Sequence, residues 1–446
     1  MDRANFGAAR ARARYRSPMP STAQRVERTY LVLTLLTTLA TSFIWGVNTL
    51  FLLDAGLSNV EAFAANAFFA AGQVIFEIPT GVVADTRGRR FSFILGAATL
   101  LASTLLYLLM WQLQAPFLGW ALASALLGLG FTFFSGATEA WLVDALTETG
   151  YQGDLETVFG RAQIVGGGAM LVGSVLGGVI AQLTDLGAPY LVRAALLGLT
   201  VVVAWRFMRD IGFTPERNAS PIGAVRTVIT GAVDGGLRNR PVRWLLLAAP
   251  FTMGVGFYAF YALQPYLLEL YGDPDAYSIA GLAAAIIAGA QMFGGWAVNR
   301  VRRLFRRRTD ALVSSTVVSV AALALLGLMP LFAVALALLV IWSVVSAIEE
   351  PIRRAYLNGL IPSQQRATVL SFDSLMGSAG GVVIQPALGR VADVSGYATS
   401  YVIAGGIQAL AIPLVLLARR ERAPSDPITP GSAPAEVPAE PPDQPA

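Results

Sequence analysis

Two long apolar stretches of this chain are joined by the segment GVVADTRGRR, residues 81–90. The stretches on either side, 60–83 and 91–111, carry few charges. An α-helix needs about 20 mainly apolar residues to cross the hydrocarbon core of a bilayer, and both stretches are that long. The segment therefore predicts a short, arginine-rich turn between two membrane-spanning helices.

Apolar stretches of the same kind recur along the whole chain, and twelve of them are long enough to span a membrane. We number them spans 1 to 12: 30–53, 60–83, 91–111, 117–146, 159–181, 189–209, 242–268, 276–298, 310–329, 331–357, 367–389 and 397–418. The composition agrees, with 55% hydrophobic and 13% charged residues, whereas soluble proteins average about 25% charged residues. The sequence predicts an all-α integral membrane protein with twelve transmembrane helices.

A polar break rich in glycine and proline divides the twelve spans into six and six. It predicts an N-terminal six-helix bundle at 30–209, a central cytoplasmic loop at 210–241 and a C-terminal six-helix bundle at 242–418. We expect residues 1–29 to form an arginine-rich cytoplasmic tail. The proline-rich residues 419–446 lack an apolar run, so they are predicted to be a disordered cytoplasmic tail.

The two halves also resemble one another. Span 1 ends in FLLD at 51–54 and span 7 in YLLE at 266–269, while span 4 contains AWL at 140–142 and span 10 contains AYL at 355–357. The matches fall six spans apart, which indicates two pseudo-symmetric bundles. Such internal repeats are typical of secondary transporters, which bind substrate between the repeats.

Basic residues lie mostly on one predicted side of the membrane. All 32 are arginine, and all but Arg193 and Arg390 fall on that side if both termini are cytoplasmic. The positive-inside rule therefore predicts a multi-pass protein of the cytoplasmic membrane with both termini inside. Anionic lipid headgroups account for the basic composition, so the lipid bilayer is the expected partner and nucleic acid is not.

The chain contains neither cysteine nor histidine. This excludes disulfides, thiolate chemistry and the commonest metal ligand, so we expect no metal site and no cofactor. No nucleophile–base set is apparent, and we do not expect an enzyme. Any proton chemistry must then use carboxylates.

The segment 81–90 resembles the signature of the major facilitator superfamily, Gly-x-x-x-Asp-Arg-x-Gly-Arg-Arg, with Thr86 in place of one arginine. The resemblance implies the facilitator fold over 30–418. It also implies a conformational motif made of Gly81, Asp85, Arg87, Gly88, Arg89 and Arg90. In that motif, Asp85 would engage the start of span 11 and Arg89 would pair with an acid on span 4, locking the outward-open state. Gly81 would allow close helix approach, and Gly88 a tight turn.

Span 5 is similar to the antiporter motif of facilitator exporters through Gly160, Gly173, Gly177 and Gly178, with Ala169 and Ser174 as departures. The alternative is ordinary packing, because small residues four apart bring membrane helices together in general. Span 4 carries Ser124 where many proton-coupled members carry an arginine. The usual proton-coupling device is therefore missing or relocated.

Charged residues within the spans are candidates for proton coupling or gating, because an ionised group there is costly unless paired or hydrated. They are Glu77, Glu139, Asp144, Arg161, Glu349, Glu350, Arg353, Arg354 and Asp373. Glu349 and Glu350 are the deepest acids, and one of them is expected to face the cavity, since adjacent helical residues point about 100° apart. The alternative is local neutralisation by Arg353 and Arg354 one turn later.

The repeat places Glu139 opposite Arg354. We hypothesise that these residues, with Arg353 as a second partner, form an inner gate when the cytoplasmic side closes.

In facilitators, spans 1, 4, 7 and 10 line the cavity. Polar and aromatic residues at helical spacing on spans 1 and 7 are then candidate substrate contacts: Thr41, Trp45, Asn48, Phe257, Tyr258, Tyr261 and Gln264. Aromatic packing is the alternative. A mainly apolar lining with a few polar groups suits a moderately hydrophobic small molecule.

The favoured function is secondary active transport by alternating access, as a functional monomer, with proton-coupled efflux of a neutral or cationic drug or metabolite. The lean toward cations rests on Glu77, Glu139, Asp144 and Arg161, which leave the N-terminal half acidic, and on the charges of span 10 with Asp373, which sum to about −1. The first alternative is proton-coupled or facilitated uptake of a sugar, anion or metabolite. The second is a non-transporting membrane sensor or scaffold.

Overall fold

The computed structural model describes residues 21–134, 136–215, 223, 225–226, 230, 232–361 and 363–428. Spans 1 to 6 are the helices Ser21–Trp45 with Asn48–Asp54, Asn59–Arg87, Arg89–Gln112, Phe117–Thr132 with Ala137–Glu148, Leu155–Leu183 and Ala188–Phe207. Spans 7 to 10 are Arg240–Tyr271, Tyr277–Val301, Arg308–Leu328 and Phe332–Asn358. Spans 11 and 12 are Ser363–Ala409, which breaks at Gly396, and Ala411–Arg420. A π-helical segment, Ala232–Leu237, precedes span 7.

The twelve predicted spans are confirmed. Within the described residues, 10 helices are long and apolar enough to cross a membrane, and the bent pair of span 1 makes an eleventh. The last of the 10, Thr368–Arg420, is two spans joined at Gly396, where φ is 80° and ψ is 165°. Only glycine adopts this backbone conformation readily, so the chain ends span 11 and begins span 12 there without a loop.

The two halves of the chain pack in the same way. In the N-terminal bundle, span 1 packs against spans 5 and 6, span 4 against spans 2 and 3, and span 3 against span 6. The C-terminal bundle repeats each pairing six spans later. The short matches AWL and AYL also occupy equivalent places: Trp141 donates to the carbonyl of Arg209 after span 6, and Tyr356 to that of Ala418 at the end of span 12.

The two ends of the bundles differ. We call the end that carries Gly88 and residues 302–307 the basic end, because spans 2 and 3 and spans 8 and 9 meet there among arginines. The opposite end carries the connection 55–58 between spans 1 and 2 and the connection 272–276 between spans 7 and 8. Gly88 has a φ of 109°, which lets span 3 follow span 2 directly.

The structure differs from the sequence prediction where polar residues pack against the bundles. Span 1 begins at Ser21 rather than at residue 30, because Ala23 and Val26 are buried and Glu27 pairs with Arg161 of span 5. The predicted loop 210–241 includes the π-helical segment, and part of it lies outside the described residues, as does most of the predicted tail 1–29.

The first part of the tail predicted at 419–446 is ordered, which corrects that prediction. We call residues 421–428 the C-terminal strap. Asp426 accepts hydrogen bonds from the N–H and the hydroxyl of Thr309 at 2.9 and 3.0 Å, so it caps span 9. Arg308 donates to the carbonyls of Ser425 and Pro427. The strap therefore binds the basic end of the C-terminal bundle, and the rest of this tail lies outside the described residues.

Candidate transport site

A cavity of about 860 Å³ lies between the bundles and is lined by residues of spans 1 to 4, 6 to 8, 10 and 12. Asn48, Tyr107 and Arg193 line it near the opposite end, and Glu350 and Pro351 line it toward the basic end. Pro351 is exposed. The cavity therefore opens toward the basic end.

Five of the seven predicted substrate contacts line this cavity: Thr41, Trp45, Asn48, Phe257 and Tyr261. Trp45 of span 1 stacks on Phe260 of span 7, with ring centroids 4.6 Å apart, so aromatic rings from both bundles form one wall. The cavity thus offers flat apolar surface beside a few amides and hydroxyls.

The other two predicted contacts have structural roles in this conformation. Tyr258 is buried in the core of the C-terminal bundle, where its hydroxyl bonds Ser400. Gln264 bonds span 1 instead of facing the cavity. Adjacent helical residues point in different directions, so only some residues of the span 7 cluster can face the cavity.

Glu349 and Glu350 both line the cavity, but their surroundings differ. Glu350 forms a salt bridge with Arg354 one turn later on span 10. Among the described residues, no hydrogen bond or salt bridge engages the carboxylate of Glu349. Arg354 therefore neutralises Glu350 locally, as the alternative reading of the sequence expected. Glu349 is the carboxylate of this pair that is free to interact with a proton or a molecule in the cavity.

Arg353 and Asp373 form a buried ion pair between spans 10 and 11. Both terminal nitrogens of Arg353 donate to the Asp373 carboxylate, and Nη2 also donates to the carbonyl of Leu245 on span 7 at 3.3 Å. The pair ties three helices of one bundle together. In this conformation Arg353 is therefore held within its own bundle, and its role as the second gate partner stays a prediction.

The other predicted gate and coupling residues lie outside the cavity lining. Glu139 is exposed in the second helix of span 4, and Arg354 is held by Glu350, so the predicted Glu139–Arg354 pair is not formed in this conformation. Arg161 pairs with Glu27. Glu77, on span 2, is partly buried.

The segment 81–90 binds its own bundle. Arg89 forms a salt bridge with Asp85, and its Nε lies 3.9 Å from a carboxylate oxygen of Asp144 on span 4. The backbone N–H of Arg90 donates to Asp210 after span 6, and Arg87 lies over the ring of Phe91.

Two implications of the resemblance are not seen in this conformation, which is open at the basic end. Asp85 engages Arg89 here, and its contact with the start of span 11 stays a prediction for the conformation in which the basic end closes. A side chain in place of Gly81 would meet nothing within 4 Å, so no close helix approach depends on it here.

At the opposite end, spans 2 and 11 are joined across the two bundles. The backbone N–H groups of Asn59 and Val60, at the start of span 2, donate to the carboxylate of Asp393 near the end of span 11. The hydroxyl of Tyr397 donates to the side chain of Asn59. These bonds link the bundles beyond the end of the cavity.

Two further links close the opposite end. The side chain of Gln264 on span 7 accepts from the N–H of Thr49 at 2.9 Å and donates to the carbonyl of Trp45 at 3.0 Å, both in span 1. The N–H of Ser278 on span 8 donates to Gln182 of span 5 at 3.1 Å. The bundles therefore meet along three helix pairs at this end, which we call the closed end.

The glycines predicted from the span 5 motif divide into two groups. Gly173 and Gly177 pack against Ser42 and Phe43 of span 1, and Gly178 packs against Gly281 of span 8, where no side chain would fit. Gly160 has open space around it. The closed end thus relies on small residues where spans 1, 5 and 8 cross.

One charged residue of the cavity lining, Arg193, was not among the sequence candidates. Arg193 on span 6 is buried and lines the cavity. The cavity is not lined by the four residues of this bundle on which the lean toward cationic substrates rested, Glu77, Glu139, Asp144 and Arg161. The N-terminal bundle therefore contributes a positive rather than a negative charge to the wall. The predicted lean toward cationic substrates loses the part of its basis that lay in the N-terminal bundle, while Glu349 and Glu350 of span 10 do line the cavity. The sequence did single out Arg193, because it is one of the two arginines that do not fall on the predicted cytoplasmic side of the membrane.

Two similar helical bundles around a central cavity that opens at one end are the architecture of secondary transporters. The family model for the Major Facilitator Superfamily matches residues 30–349 and 301–442. The chain belongs to this superfamily, as the segment 81–90 led us to expect.

Individual relatives are distant. The uncharacterized MFS-type transporter MJ1560 of Methanocaldococcus jannaschii is 22% identical over 232 residues, which are 52% of this chain and 58% of that protein. The match thus spans less than two thirds of the relative.

Solved structures share the fold. The nucleoside transporter NupG matches with a TM-score of 0.73 and 12% identity over 89% of this chain and 99% of its own. A bacterial homolog of the human lysosomal transporter Spinster matches with a TM-score of 0.67 and 16% identity over 93% of this chain and 100% of its own. At this identity the likeness concerns the fold alone.

Proposed function

We propose that this chain works as a single polypeptide in the cytoplasmic membrane and exports a small organic molecule in exchange for protons. The basic end and both termini would face the cytoplasm, because arginines concentrate at that end and favour the cytoplasmic side. The conformation described above would then be open to the cytoplasm. Export as the direction is supported by the similarity of span 5 to the exporter motif.

The observation that carries proton coupling is the state of Glu349. Its carboxylate faces the cavity without a bonding partner among the described residues, whereas the neighbouring Glu350 is paired with Arg354. A carboxylate in a cavity that opens alternately to two sides can bind a proton on one side and release it on the other. The chain has no histidine that could take this role.

Alternating access would follow from exchanging one set of contacts between the bundles for another. The molecule enters from the basic end and displaces the proton held by Glu349. The basic end then closes, and the contacts of Asp393, Gln264 and Gln182 at the closed end separate. Release of the molecule and uptake of a new proton would return the bundles to the first state.

Reconstituted protein tests this proposal. Purified protein in liposomes with an imposed pH gradient is offered a panel of organic compounds, and internal pH and compound uptake are followed. We expect Glu349→Gln to lose movement driven by the pH gradient while keeping exchange of compound for compound. Glu350→Gln is the matched control and should keep both. Wild-type behaviour of Glu349→Gln would refute coupling through this residue.

A second candidate is uptake of an anionic metabolite, which the buried Arg193 in the cavity wall favours. Transport in cells separates the directions. An exporter lowers the accumulation of its substrate in energised cells, and a protonophore abolishes the effect, whereas uptake raises accumulation. A membrane sensor or scaffold would change neither.

A further inference from the structure

Arg193 is a buried cation with an unused donor. It lies in the second turn of span 6, near the closed end, and is 1% exposed. Its Nε donates to the hydroxyl of Thr104 at 2.9 Å, and its Nη1 donates to the carbonyl of Ala40 at 3.3 Å. Its Nη2 is buried and has no hydrogen-bond partner among the described residues.

The surroundings of Arg193 hold no compensating negative charge. Its two bonding partners are a neutral hydroxyl and a neutral carbonyl, and no carboxylate of the described residues forms a salt bridge with it. A guanidinium stays protonated inside proteins, so this charge cannot be avoided by losing a proton. An unpaired charge within a membrane protein is costly, and such residues typically face a cavity and bind what passes through it.

A second unused donor lines the same cavity. Asn66 of span 2 is 3% exposed, and its side-chain oxygen accepts from the amide of Asn48, whose own oxygen accepts from Tyr190. This chain of bonds orients the Nδ2 group of Asn66, which has no partner among the described residues. Tyr190 lies one helical turn before Arg193, so the same network reaches span 6.

Two unused N–H donors and one uncompensated positive charge require an acceptor that carries negative charge. We propose that Arg193 and Asn66 bind the carboxylate of a small organic molecule at the closed end of the cavity. The free Nη2 of Arg193 would donate to one carboxylate oxygen and Nδ2 of Asn66 to the other, and hydrogen bonds between a guanidinium and a carboxylate are among the strong ones. The other lining arginine, Arg353, is already held by Asp373, so the wall has one unpaired cation to offer and favours an anion with a single carboxylate.

The rest of the bound molecule would lie toward the basic end, against aromatic rings. Trp45, Phe257, Phe260 and Trp342 line the same cavity. The substrate class is therefore a monocarboxylate with an apolar or aromatic body. This assignment rests on the proposed transport function and names the substrate class of the same cavity.

Pairs of compounds that differ only in charge test the site. Thermal unfolding of the purified full-length protein is followed with benzoate against benzamide, and with acetate against acetamide, in a buffer free of carboxylates. We expect the carboxylates to bind wild-type protein about tenfold or more tightly than the amides, the effect of one charged hydrogen bond of about 1.5–3 kcal/mol. Arg193→Gln should remove the preference.

Arg390→Gln is the matched control, because Arg390 is exposed on span 11 and does not line the cavity. It should keep the full preference for carboxylates. Should Arg193→Gln fail to fold, Arg193→Lys and Asn66→Leu replace it. Each is expected to reduce the preference, since lysine cannot keep the bonds to Thr104 and Ala40 that orient the free donor, and leucine lacks the amide.

Three results would overturn the site: equal binding of acid and amide by wild-type protein, an unchanged preference in Arg193→Gln, or stronger binding of phenyl phosphate than of benzoate. Each can occur while a neutral compound is still transported in the liposome assay. Failure of the carboxylate site is therefore distinguishable from failure of the transport proposal.

Discussion

Asp393 caps a helix of the opposite bundle, and its partner is Asn59. Its Oδ1 accepts the backbone N–H of Asn59 at 2.9 Å, and its Oδ2 accepts that of Val60 at 3.0 Å. The first turn of a helix has N–H groups without partners inside the helix, and its dipole favours a negative charge there. One carboxylate of span 11 therefore holds the start of span 2 at the closed end.

Removing this carboxylate should open the closed end more often. Asp393→Ala loses a charged helix cap worth about 1–2 kcal/mol, which corresponds to a roughly 5–30-fold shift in the balance between the two conformations. The chain has no cysteine, so spin labels can be placed on cysteines introduced at Gln112 and Pro274, which are exposed at this end in different bundles. We expect a longer label–label distance to gain population.

Asp185→Ala is the control for that measurement. Asp185 also accepts two backbone N–H groups at a helix start, from Gly187 and Ala188 at 2.8 and 2.9 Å, but all three residues belong to one bundle. Its loss should lower stability without changing the distances. An unaltered distance distribution in Asp393→Ala would show that this cap does not hold the bundles together.

The crossing of spans 5 and 8 should depend on the absence of a side chain at Gly178. A Cβ there would approach the carbonyl of Tyr277 to 2.7 Å and the Cα of Gly281 to 2.9 Å. We expect Gly178→Val to prevent full closure and to shift the label distances as Asp393→Ala does. Gly168→Val, on the same helix but facing open space, should leave them unchanged, and equal effects of the two substitutions would contradict the prediction.

The predicted pair of Glu139 and Arg354 remains a hypothesis for the conformation in which the basic end closes. Both residues are exposed in the conformation open at that end, so they are free of buried contacts that would prevent pairing. Glu139→Arg and Arg354→Glu should each reduce transport, and the double substitution should restore it. Activity that stays low in the double variant would exclude this gate.

The buried pair of Arg353 and Asp373 should show strong coupling in stability. Asp373→Leu leaves a buried arginine without its counter-charge, which costs about 3–5 kcal/mol, whereas Arg353→Met together with Asp373→Leu removes both charges and should recover most of that loss. Unfolding in detergent is measured for Asp373→Leu, for Arg353→Met and for the double variant. The partly exposed pair of Arg419 and Asp310 is the comparison, with an expected coupling of at most about 1 kcal/mol. Additive effects at Arg353 and Asp373 would refute the prediction.

The spans could be predicted because a bilayer demands long apolar helices, and hydropathy reports this directly. Their ends could not, because they depend on individual contacts. Residues 21–29 look like a charged tail, yet Glu27 is buried and pairs with Arg161 of span 5. Gly396 joins two spans without a polar loop, so the boundary left little trace in the composition.

The site was predictable where helical spacing decides which residues face inward, as with Thr41, Trp45 and Asn48 of span 1. The site was not predictable where hydrogen bonds between distant spans decide which way a side chain points. Gln264, for example, turns away from the cavity to bond the backbone of span 1. The role of Asp393 had a visible signal, since GRVADVSG at 389–396 repeats the pattern of GVVADTRG at 81–88. Each copy ends a span with an aspartate three residues before a glycine of positive φ.

The C-terminal strap fastens the chain beyond span 12 to spans 9 and 10. Ser425 donates to the carbonyl of Tyr356 at 2.9 Å, and the N–H of Ile428 donates to the carbonyl of Arg306 at 3.0 Å. Anything attached shortly after Ile428, whether a fluorophore, a fused domain or a docked protein, is thereby tethered to the C-terminal bundle. Such an attachment would move with the C-terminal bundle as the two bundles rock, so it would report this motion or, if bulky, hinder it.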